Sequence, residues 1–369
     1  MTTGVFRRPR WFWPSVLAWV VCACGALNVA ADGGLGVAVA PGRVLSDDDG
    51  PLREIVLHFV AEYADDLDPL YADLFTALPV DVDVDVLCES AALVERFERD
   101  WGEPERARGR LIDVINVDRP LTVWARDRRI ARVGAFDGSP APSLLPQSAV
   151  DYGLEHEDDL LVPLLLESLG YDTPTSEIAI QLEGGNVVAN DRHVFLGANV
   201  ISDNASLGLT GWQVKRELLR ALGRPFVLVG DEGGGVPWPH IDMYVTPIDD
   251  ETVLVARPIP EYAAEMNEPL NGSEITRFGA TVPEGVEFDL VAEQVRRHGY
   301  RVERLPAVVD PAGVWMLTYN NVLMEHRDGR ASVYMPVYGY DHLDELAASV
   351  YEGLGFEVHR INVAGVYHD

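Results

Sequence analysis

Residues 331–363 read ASVYMPVYGYDHLDELAASVYEGLGFEVHRINV, and this stretch predicts one complete strand–helix–strand unit. The expected strand is Ala331–Met335, the helix runs from Asp341 to about Leu354, and the second strand is Glu357–Val363. The same order of elements recurs upstream with a rhythm of roughly 60 residues, although the units share no visible sequence identity. Such an alternation of strands and helices predicts a fold of the α/β class.

Upstream of this unit, apolar alternation and helical spacing predict further elements. The expected strands are Glu54–Val60, Asp81–Cys88, Leu111–Val117, Thr122–Ala125, Pro225–Val229, and segments near Tyr300–Leu305 and Val314–Asn321. The expected helices are Pro69–Leu78, a helix capped by Ser90 and ending near Trp101, Gly211–Leu222, and Leu290–His298. Two turns are also expected, namely a Gly-Gly turn joining Ile178–Leu182 to Val187–Ala189 and His193–Leu196, and a hairpin of Ile241–Thr246 with Thr252–Ala256.

The charge balance narrows the class of ligand. The chain has 369 residues and a formal net charge of −30. A negative field of this size argues against nucleic acid or an anionic membrane as the partner and raises the local concentration of cationic ligands. Adaptation for solubility or salt explains the same charge without any ligand.

The N-terminal residues 1–31 are expected to be an export signal. Basic residues precede an apolar run, residues 11–30, and small residues follow it, as at a cleavage site. An uncleaved membrane anchor is the alternative, because the run approaches the length of a bilayer span, and Cys24 leaves a lipoprotein signal open. Residues 32–52 are rich in Gly and Asp and predict a flexible linker, so the expected folded domain is 53–369.

Three short motifs carry candidate catalytic groups. They are Trp124-Ala125-Arg126-Asp127, Glu183-Gly184-Gly185-Asn186 and His240-Ile241-Asp242-Met243. Together they supply three carboxylates and one imidazole, which suits binding a planar cation while a proton is moved. If His240 and Asp242 lie on a strand, their spacing of two places both side chains on one face.

Each motif also has a purely structural interpretation. Asp127 lies beside Arg126 and Arg128 and is equally compatible with a structural ion pair. The Gly-Gly pair is typical of a tight turn, and a single His on a strand is more often structural than catalytic. A glycine-rich segment that leads directly into His240 favours a functional role for that residue.

In this order, the three motifs resemble those of the guanidine-modifying superfamily, and most closely those of its agmatine deiminase-like and peptidylarginine deiminase branch. The segments Leu317–Asn321 and Met335–Gly339 are similar to further segments of that branch. The resemblance covers about residues 53–363. It implies the pentein fold, a five-bladed α/β propeller of ββαβ units with the site on its central axis, and here the last blade is expected to be incomplete.

The resemblance also implies a role for each site residue. Asp127 and Asp242 are expected to bind a guanidinium group through bidentate hydrogen bonds. His240 is expected to act as general acid and then as general base, with Glu183 orienting it and raising its pKa. The other expected substrate-binding residues are Trp124, Asn186 and Asn320. The expected ligand is a small cationic guanidinium compound or an arginyl peptide, without nucleic acid, metal or cofactor.

The nucleophile is the group that the sequence does not supply. In the superfamily a Cys after the strand matching Glu357–Val363 attacks the guanidinium carbon and forms a thiouronium intermediate. This sequence carries no Cys between Cys88 and its last residue, Asp369, so the nucleophile is expected beyond Asp369. Three interpretations follow: a chain cut short before the Cys segment, a catalytically inactive relative that still binds guanidinium, or Cys88 as a substitute nucleophile.

A structural role for Cys88 competes with the last interpretation. Cys88 ends the alternating segment that begins at Asp81, and a single Cys at the end of a strand is most often a small buried apolar residue. With Cys22 and Cys24 in the predicted signal, neither a disulfide framework nor a Cys-based metal site is expected.

Overall fold

The computed structural model describes residues 42–48, 50–102, 107–128, 130–133, 140–145, 175–232, 235–259, 286–309 and 316–366. The predicted signal, residues 1–31, lies outside these ranges. The described residues form five separate β-sheets with helices packed against them. The predicted α/β class is therefore confirmed. Within the described residues, no helix has both the length and the apolar character needed to span a bilayer.

The first sheet is entirely parallel and has the order β2–β3–β4. Helix α1 joins β2 to β3, and helix α2 joins β3 to β4, as expected for parallel neighbours. The side chain of Ser90 accepts a hydrogen bond from the backbone N–H of Leu93, which confirms the predicted cap. The bounds are β2 Glu54–Phe59, α1 Leu67–Ala77, β3 Asp83–Cys88, α2 Ala91–Trp101 and β4 Ile112–Asn116.

The second sheet begins within the predicted linker. Its order is β1–β5–β6–β7, with β1 antiparallel to β5. Val44, Leu45 and Leu52 are all buried, so the linker prediction is wrong for residues 42–48 and 50–52, where apolar side chains pack into the core. The bounds are β1 Arg43–Val44, β5 Ile130–Val133, β6 Pro140–Leu145 and β7 Thr175–Glu177.

The third sheet, of order β10–β9–β8, corrects one predicted turn. β8 pairs antiparallel with β9 directly, whereas residues 178–182 form no strand of this sheet. The Gly-Gly pair precedes β8 and does not connect two paired strands. The bounds are β8 Val187–Ala189, β9 Val194–Gly197, α3 Asn199–Ala205, α4 Gly211–Leu222 and β10 Phe226–Val229.

The fourth and fifth sheets repeat one pattern, in which an antiparallel pair is followed by a helix and a parallel strand. The fourth sheet has the order β11–β12–β13–β14, and the fifth has the order β15–β16–β17. The bounds are β11 Val245–Pro247, β12 Thr252–Pro258, α5 Val286–Arg297, β13 Arg301–Val309, β14 Met316–Thr318, β15 Leu323–Arg327, β16 Arg330–Val337, α6 Asp341–Gly353 and β17 Phe356–Asn362.

Neighbouring sheets share apolar cores. One core joins Phe195 of the third sheet with residues of the fourth, and another joins Leu254 of the fourth sheet with residues of the fifth. A further core joins Ile361 of β17 with the first sheet and its helices. The last sheet is therefore packed against the first. Each polar motif lies a few residues before the start of a strand, namely β5, β8 or β11.

Candidate guanidinium site

The three sequence motifs come together as three short 3₁₀ turns. These turns are Ala125–Arg128, Gly184–Asn186 and Ile241–Met243. The first contacts the second, and the second contacts the third. The strand predictions for Thr122–Ala125 and for the start of Ile241–Thr246 are wrong, because the backbone coils where it passes the site and extends only beyond it.

The imidazole of His240 lies between two carboxylates. Its Nε2 is 2.6 Å from Oε2 of Glu183, and its Nδ1 is 3.7 Å from Oδ1 of Asp127. Burial alone lowers the pKa of this ring, but Coulombic attraction to Asp127 and the hydrogen bond with Glu183 oppose it, and the pKa rises to about 10. His240 is therefore an imidazolium at neutral pH, in the protonation state of a general acid.

Gly185 allows this close arrangement. Its backbone N–H donates to Oδ1 of Asp127 at 2.8 Å. A Cβ at this position would lie 2.4 Å from Oδ1 of Asp127 and 2.9 Å from Nδ1 of His240. Any side chain there would displace both groups, so the glycine is required for close approach.

The carboxylate of Asp242 is buried, and its two oxygens differ. Oδ2 lies 3.2 Å from Nε of Arg126 and accepts a hydrogen bond from Nδ2 of Asn321 at 3.4 Å. Oδ1 is buried and has no hydrogen-bond partner among the described residues. Burial raises the pKa of Asp242 to about 7, and the positive charges of Arg126 and His240 oppose this rise without cancelling it.

Arg126 and Asp47 belong to the same arrangement, although the sequence patterns did not single them out as site residues. The Nη2 atom of Arg126 donates to Oδ1 of Asp47 at 3.1 Å and to the carbonyl oxygen of Val187 at 2.8 Å. Arg126 therefore pairs with Asp47 and with Asp242. Asp47 lies 79 residues before Arg126, so no local sequence pattern links the two residues.

Asn186 and Asn320 use their amide groups within the protein. Oδ1 of Asn186 accepts from the N–H of Gly197 at 3.0 Å, and its Nδ2 donates to Asn199 at 3.3 Å. Nδ2 of Asn320 donates to Oγ1 of Thr246 at 3.0 Å. Both side-chain amides therefore hydrogen-bond to neighbouring protein groups, and none of these hydrogen bonds goes to a carboxylate of the site.

The asparagine that does reach the site is Asn321, one residue beyond the predicted one. Its Nδ2 donates to Asp242 and also lies 4.0 Å from the Sδ atom of Met243. Trp124 immediately precedes the first turn and is 55% exposed, so its indole is open to a ligand at the surface. Substrate binding by Trp124, Asn186 and Asn320 stays a prediction.

Cys88 lies in an apolar environment, unlike the polar residues of the site. It is fully buried in the core formed by the first sheet and its helices. Burial, together with the nearby charges of Glu98 and Glu89, raises the pKa of its thiol to about 12. Of the described residues, no group of three or more His, Cys, Asp or Glu side chains is arranged to hold a metal ion.

The segment that follows β17 bears on the predicted position of the nucleophile. The N–H of Val363 donates to the carbonyl of Val337 at 3.0 Å, and the N–H of Val366 donates to the carbonyl of Val363 at 3.2 Å. Val366 is the last described residue, so Asp369 lies outside the described residues. The expected nucleophile lies outside them as well and stays a prediction.

Comparison with solved structures gives the fold of the chain. It matches C. jejuni agmatine deiminase with substrate bound at a TM-score of 0.63 and 13% identity, covering 89% of this chain and 93% of that one. This chain has the agmatine deiminase fold. A structure assigned as an arginine deiminase from Porphyromonas gingivalis matches at a TM-score of 0.61 and 20% identity, covering 88% of this chain and 94% of that one. The sequence matches no protein-family model and no curated protein.

The predicted resemblance to guanidine-modifying deiminases is confirmed at the level of the fold, over most of the chain. The site itself is described by its own contacts: an imidazole hydrogen-bonded to one carboxylate and 3.7 Å from a second, and a third carboxylate with one oxygen that has no hydrogen-bond partner among the described residues. This arrangement can bind a planar cation and deliver a proton to it.

Proposed function

We propose that this chain binds the guanidinium group of a small arginine-derived cation, such as agmatine or a peptidyl arginine, at a deiminase-type site. The observation that carries the proposal is the buried Oδ1 of Asp242, which has no hydrogen-bond partner among the described residues. A buried carboxylate oxygen without a donor is costly, and a guanidinium N–H supplies that donor together with a compensating charge.

The charge balance of the described site supports a cation. Four carboxylates, those of Asp47, Asp127, Glu183 and Asp242, face only two cationic groups, Arg126 and His240. Asp127 also keeps one oxygen, Oδ2, outside the contacts with Gly185 and His240. Oδ1 of Asp242 and Oδ2 of Asp127 are therefore the oxygens proposed to accept from the ligand.

The proposed reaction is deimination. One guanidinium nitrogen leaves as ammonia, and water supplies the oxygen of the ureido product. In this reaction His240 would protonate the leaving nitrogen, because its raised pKa keeps it charged. Attack on the carbon requires a nucleophile, which in the resembled superfamily is a thiolate that forms a thiouronium. The described site residues include no cysteine.

A second candidate is guanidinium binding without turnover. The observation that favours it is the position of Cys88, whose thiol is buried in an apolar core and has a raised pKa. We propose that Cys88 takes no part in chemistry, so that turnover depends on a thiolate from outside the described residues. Without such a thiolate the chain binds its ligand and does not convert it. Under this second candidate the chain acts as an exported guanidinium- or arginine-binding protein.

Calorimetry and an ammonia assay separate the candidates. The protein is titrated with agmatine, arginine and an arginyl peptide, and each mixture is then assayed for ammonia and ureido product. Binding that is lost in Asp242→Asn but kept in Asp191→Asn, a carboxylate paired with Arg43, supports the guanidinium site. Ammonia release supports deimination, and binding without ammonia supports the second candidate. No heat with any of the three ligands overturns the proposal.

We further propose that the five sheets form a closed five-bladed ring around the site. The support is that apolar cores join the third sheet to the fourth, the fourth to the fifth, and the fifth to the first. Export through the N-terminal segment is a separate proposal that rests on the sequence alone. Identifying the N-terminal residue of the protein secreted by its host tests this proposal.

A further inference from the structure

Asp47 links the N-terminal segment 42–48 to the candidate site. Its Oδ2 accepts from the N–H of Ala189 at 2.7 Å, and its own N–H donates to the carbonyl of Ala189 at 2.8 Å. Its Oδ1 is left for Arg126, at 3.1 Å from Nη2. The carboxylate is therefore fixed against β8 and directed at one guanidinium.

Arg126 is in turn hydrogen-bonded through one nitrogen and ion-paired through another. Nη2 contacts Asp47 and the carbonyl of Val187, while Nε lies 3.2 Å from Oδ2 of Asp242. The side chains of Asp47 and Arg126 are each 14% exposed, and that of Asp242 is 5% exposed. In such a setting ion pairs are screened little by water, so the geometry of each contact matters.

We propose that Asp47 is a positioning residue of the guanidinium site: by holding Nη2 of Arg126, it confines Arg126 to one oxygen of Asp242 and reserves the other for the ligand. The inference rests on the proposed function, because it assigns Oδ1 of Asp242 to a guanidinium ligand. An arginine side chain can bind both oxygens of a carboxylate at once, so an Arg126 released from Asp47 competes with the ligand for Asp242.

The charge state of Asp242 provides a readout of this arrangement. The charged groups that act on it are Arg126 and His240, which lower its pKa, and Asp127 and Asp47, which raise it. Loss of the Asp47 charge, together with closer pairing to Arg126, therefore lowers the pKa of Asp242. Loss of the Arg126 charge raises it.

A merely structural role for Asp47 predicts a different pattern. Ser46, its neighbour, anchors the same segment through Asp191, with Oγ 2.9 Å from Oδ1 of that residue. Asp191 also pairs with Arg43 and Arg224, which both lie apart from the three turns of the site. Asp191→Asn therefore removes one anchor of segment 42–48 and keeps the contacts of Asp47 with Ala189 and Arg126, so it is the matched control.

The test compares Asp47→Asn, Arg126→Gln and Asp191→Asn. The carboxyl of Asp242 is titrated by NMR in ligand-free protein labelled at Asp, and its signal is assigned by its absence in Asp242→Asn. Agmatine affinity is then measured by calorimetry at pH about 8, where Asp242 is ionised. We expect Asp47→Asn to lower the pKa of Asp242 and to weaken agmatine binding by about tenfold, a typical effect for a charged pair. We expect Arg126→Gln to raise the pKa, and Asp191→Asn to change neither quantity.

Each other outcome counts against the inference. An unchanged Asp242 titration in Asp47→Asn overturns it, and so do shifts of the same sign in both site variants, which indicate general loosening of the site. If Asp47→Asn does not fold, Arg126→Gln decides, because no upward shift there overturns the proposed pairing. If the wild-type protein binds no agmatine, the proposed function and the reservation of Oδ1 for a ligand both fail, and the ligand-free titration still decides whether Asp47 positions Arg126 against Asp242.

Discussion

Glu183 and His240 form a contact of 2.6 Å between Oε2 and Nε2, and this contact fixes the ring while Asp127 approaches its other nitrogen. The same pairing accounts for part of the rise in the pKa of His240 to about 10. The two residues are 57 positions apart in the chain, so the imidazolium depends on the meeting of two turns.

Replacement of Glu183 by Gln is expected to lower the pKa of His240, because a charged acceptor becomes neutral while the ring stays buried. The measurement is NMR titration of the imidazole. Glu345→Gln, a surface carboxylate paired with Arg360, is the control and leaves the titration unchanged. An unshifted His240 in Glu183→Gln contradicts the contact.

Stability should depend on pH through the same ring. The pKa of His240 is raised from 6.5 to about 10, so the folded state binds the proton more tightly than the unfolded state does. The resulting stabilisation is fully present below pH about 6.5 and is lost as pH rises through about 10. Urea unfolding across this range is expected to show a smaller decline in His240→Gln than in the wild-type protein. Equal declines in the two proteins would count against a protonated His240.

Guanidine affinity is expected to rise with pH through about 7, where Asp242 loses its proton. Below this pKa each unit of pH weakens binding of a cation by up to about tenfold, because the ligand must displace a proton. Calorimetry with agmatine between pH about 5.5 and about 8.5 measures the slope. A flat profile in the wild-type protein would be inconsistent with a role for Asp242.

The sequence was sufficient to predict the group of catalytic candidates. Asp127, Glu183, His240 and Asp242 each follow or precede an apolar strand, and the ends of strands from neighbouring sheets meet at one place. The local geometry was predicted wrongly where the chain coils into 3₁₀ turns, since short polar motifs carry no periodicity that distinguishes a turn from a strand end.

The supporting residues were harder to predict. Asp47 lies in a stretch rich in Gly and Asp that is typical of a linker, and the pairing of β1 with β5 and the contacts with Ala189 of β8 bring it to the site. Asn320 and Asn321 are identical in type, and which of them faces Asp242 depends on where β14 ends. A single sequence shows neither the placement of Asp47 nor the choice between the two asparagines, because both depend on tertiary packing.

Gly185→Ala is expected to disrupt the site and destabilise the fold by about 1–3 kcal/mol, the usual cost of overpacking. The added methyl group overlaps Oδ1 of Asp127 and Nδ1 of His240. Gly353→Ala is the matched control, because a Cβ there meets no atom within 4 Å. Thermal unfolding and agmatine calorimetry measure the effects. Wild-type affinity in Gly185→Ala would show that the tight contact is not required.

The two neighbouring asparagines are expected to fail in different ways. Asn320 is 2% exposed and hydrogen-bonded to Thr246, so Asn320→Ala should lower the free energy of unfolding by about 1–3 kcal/mol. Asn321→Ala should leave unfolding nearly unchanged and weaken agmatine binding by a few fold, because Asp242 loses a donor. Urea denaturation and calorimetry separate the two effects. The reverse pattern would support Asn320 as the ligand-binding residue.

Cys88 is expected to be unreactive while the protein is folded. The thiolate is the reactive form, and burial in the first core both blocks access and raises the thiol pKa to about 12. Alkylation followed by mass measurement of the Cys88 peptide should show slow labelling in buffer and rapid labelling in urea. Cys88→Ala should leave agmatine affinity and any ammonia release unchanged. Ammonia release that disappears in folded Cys88→Ala would instead make this thiol the nucleophile. Cys88 would then have to move out of the apolar core that it shares with Phe59 and Phe97.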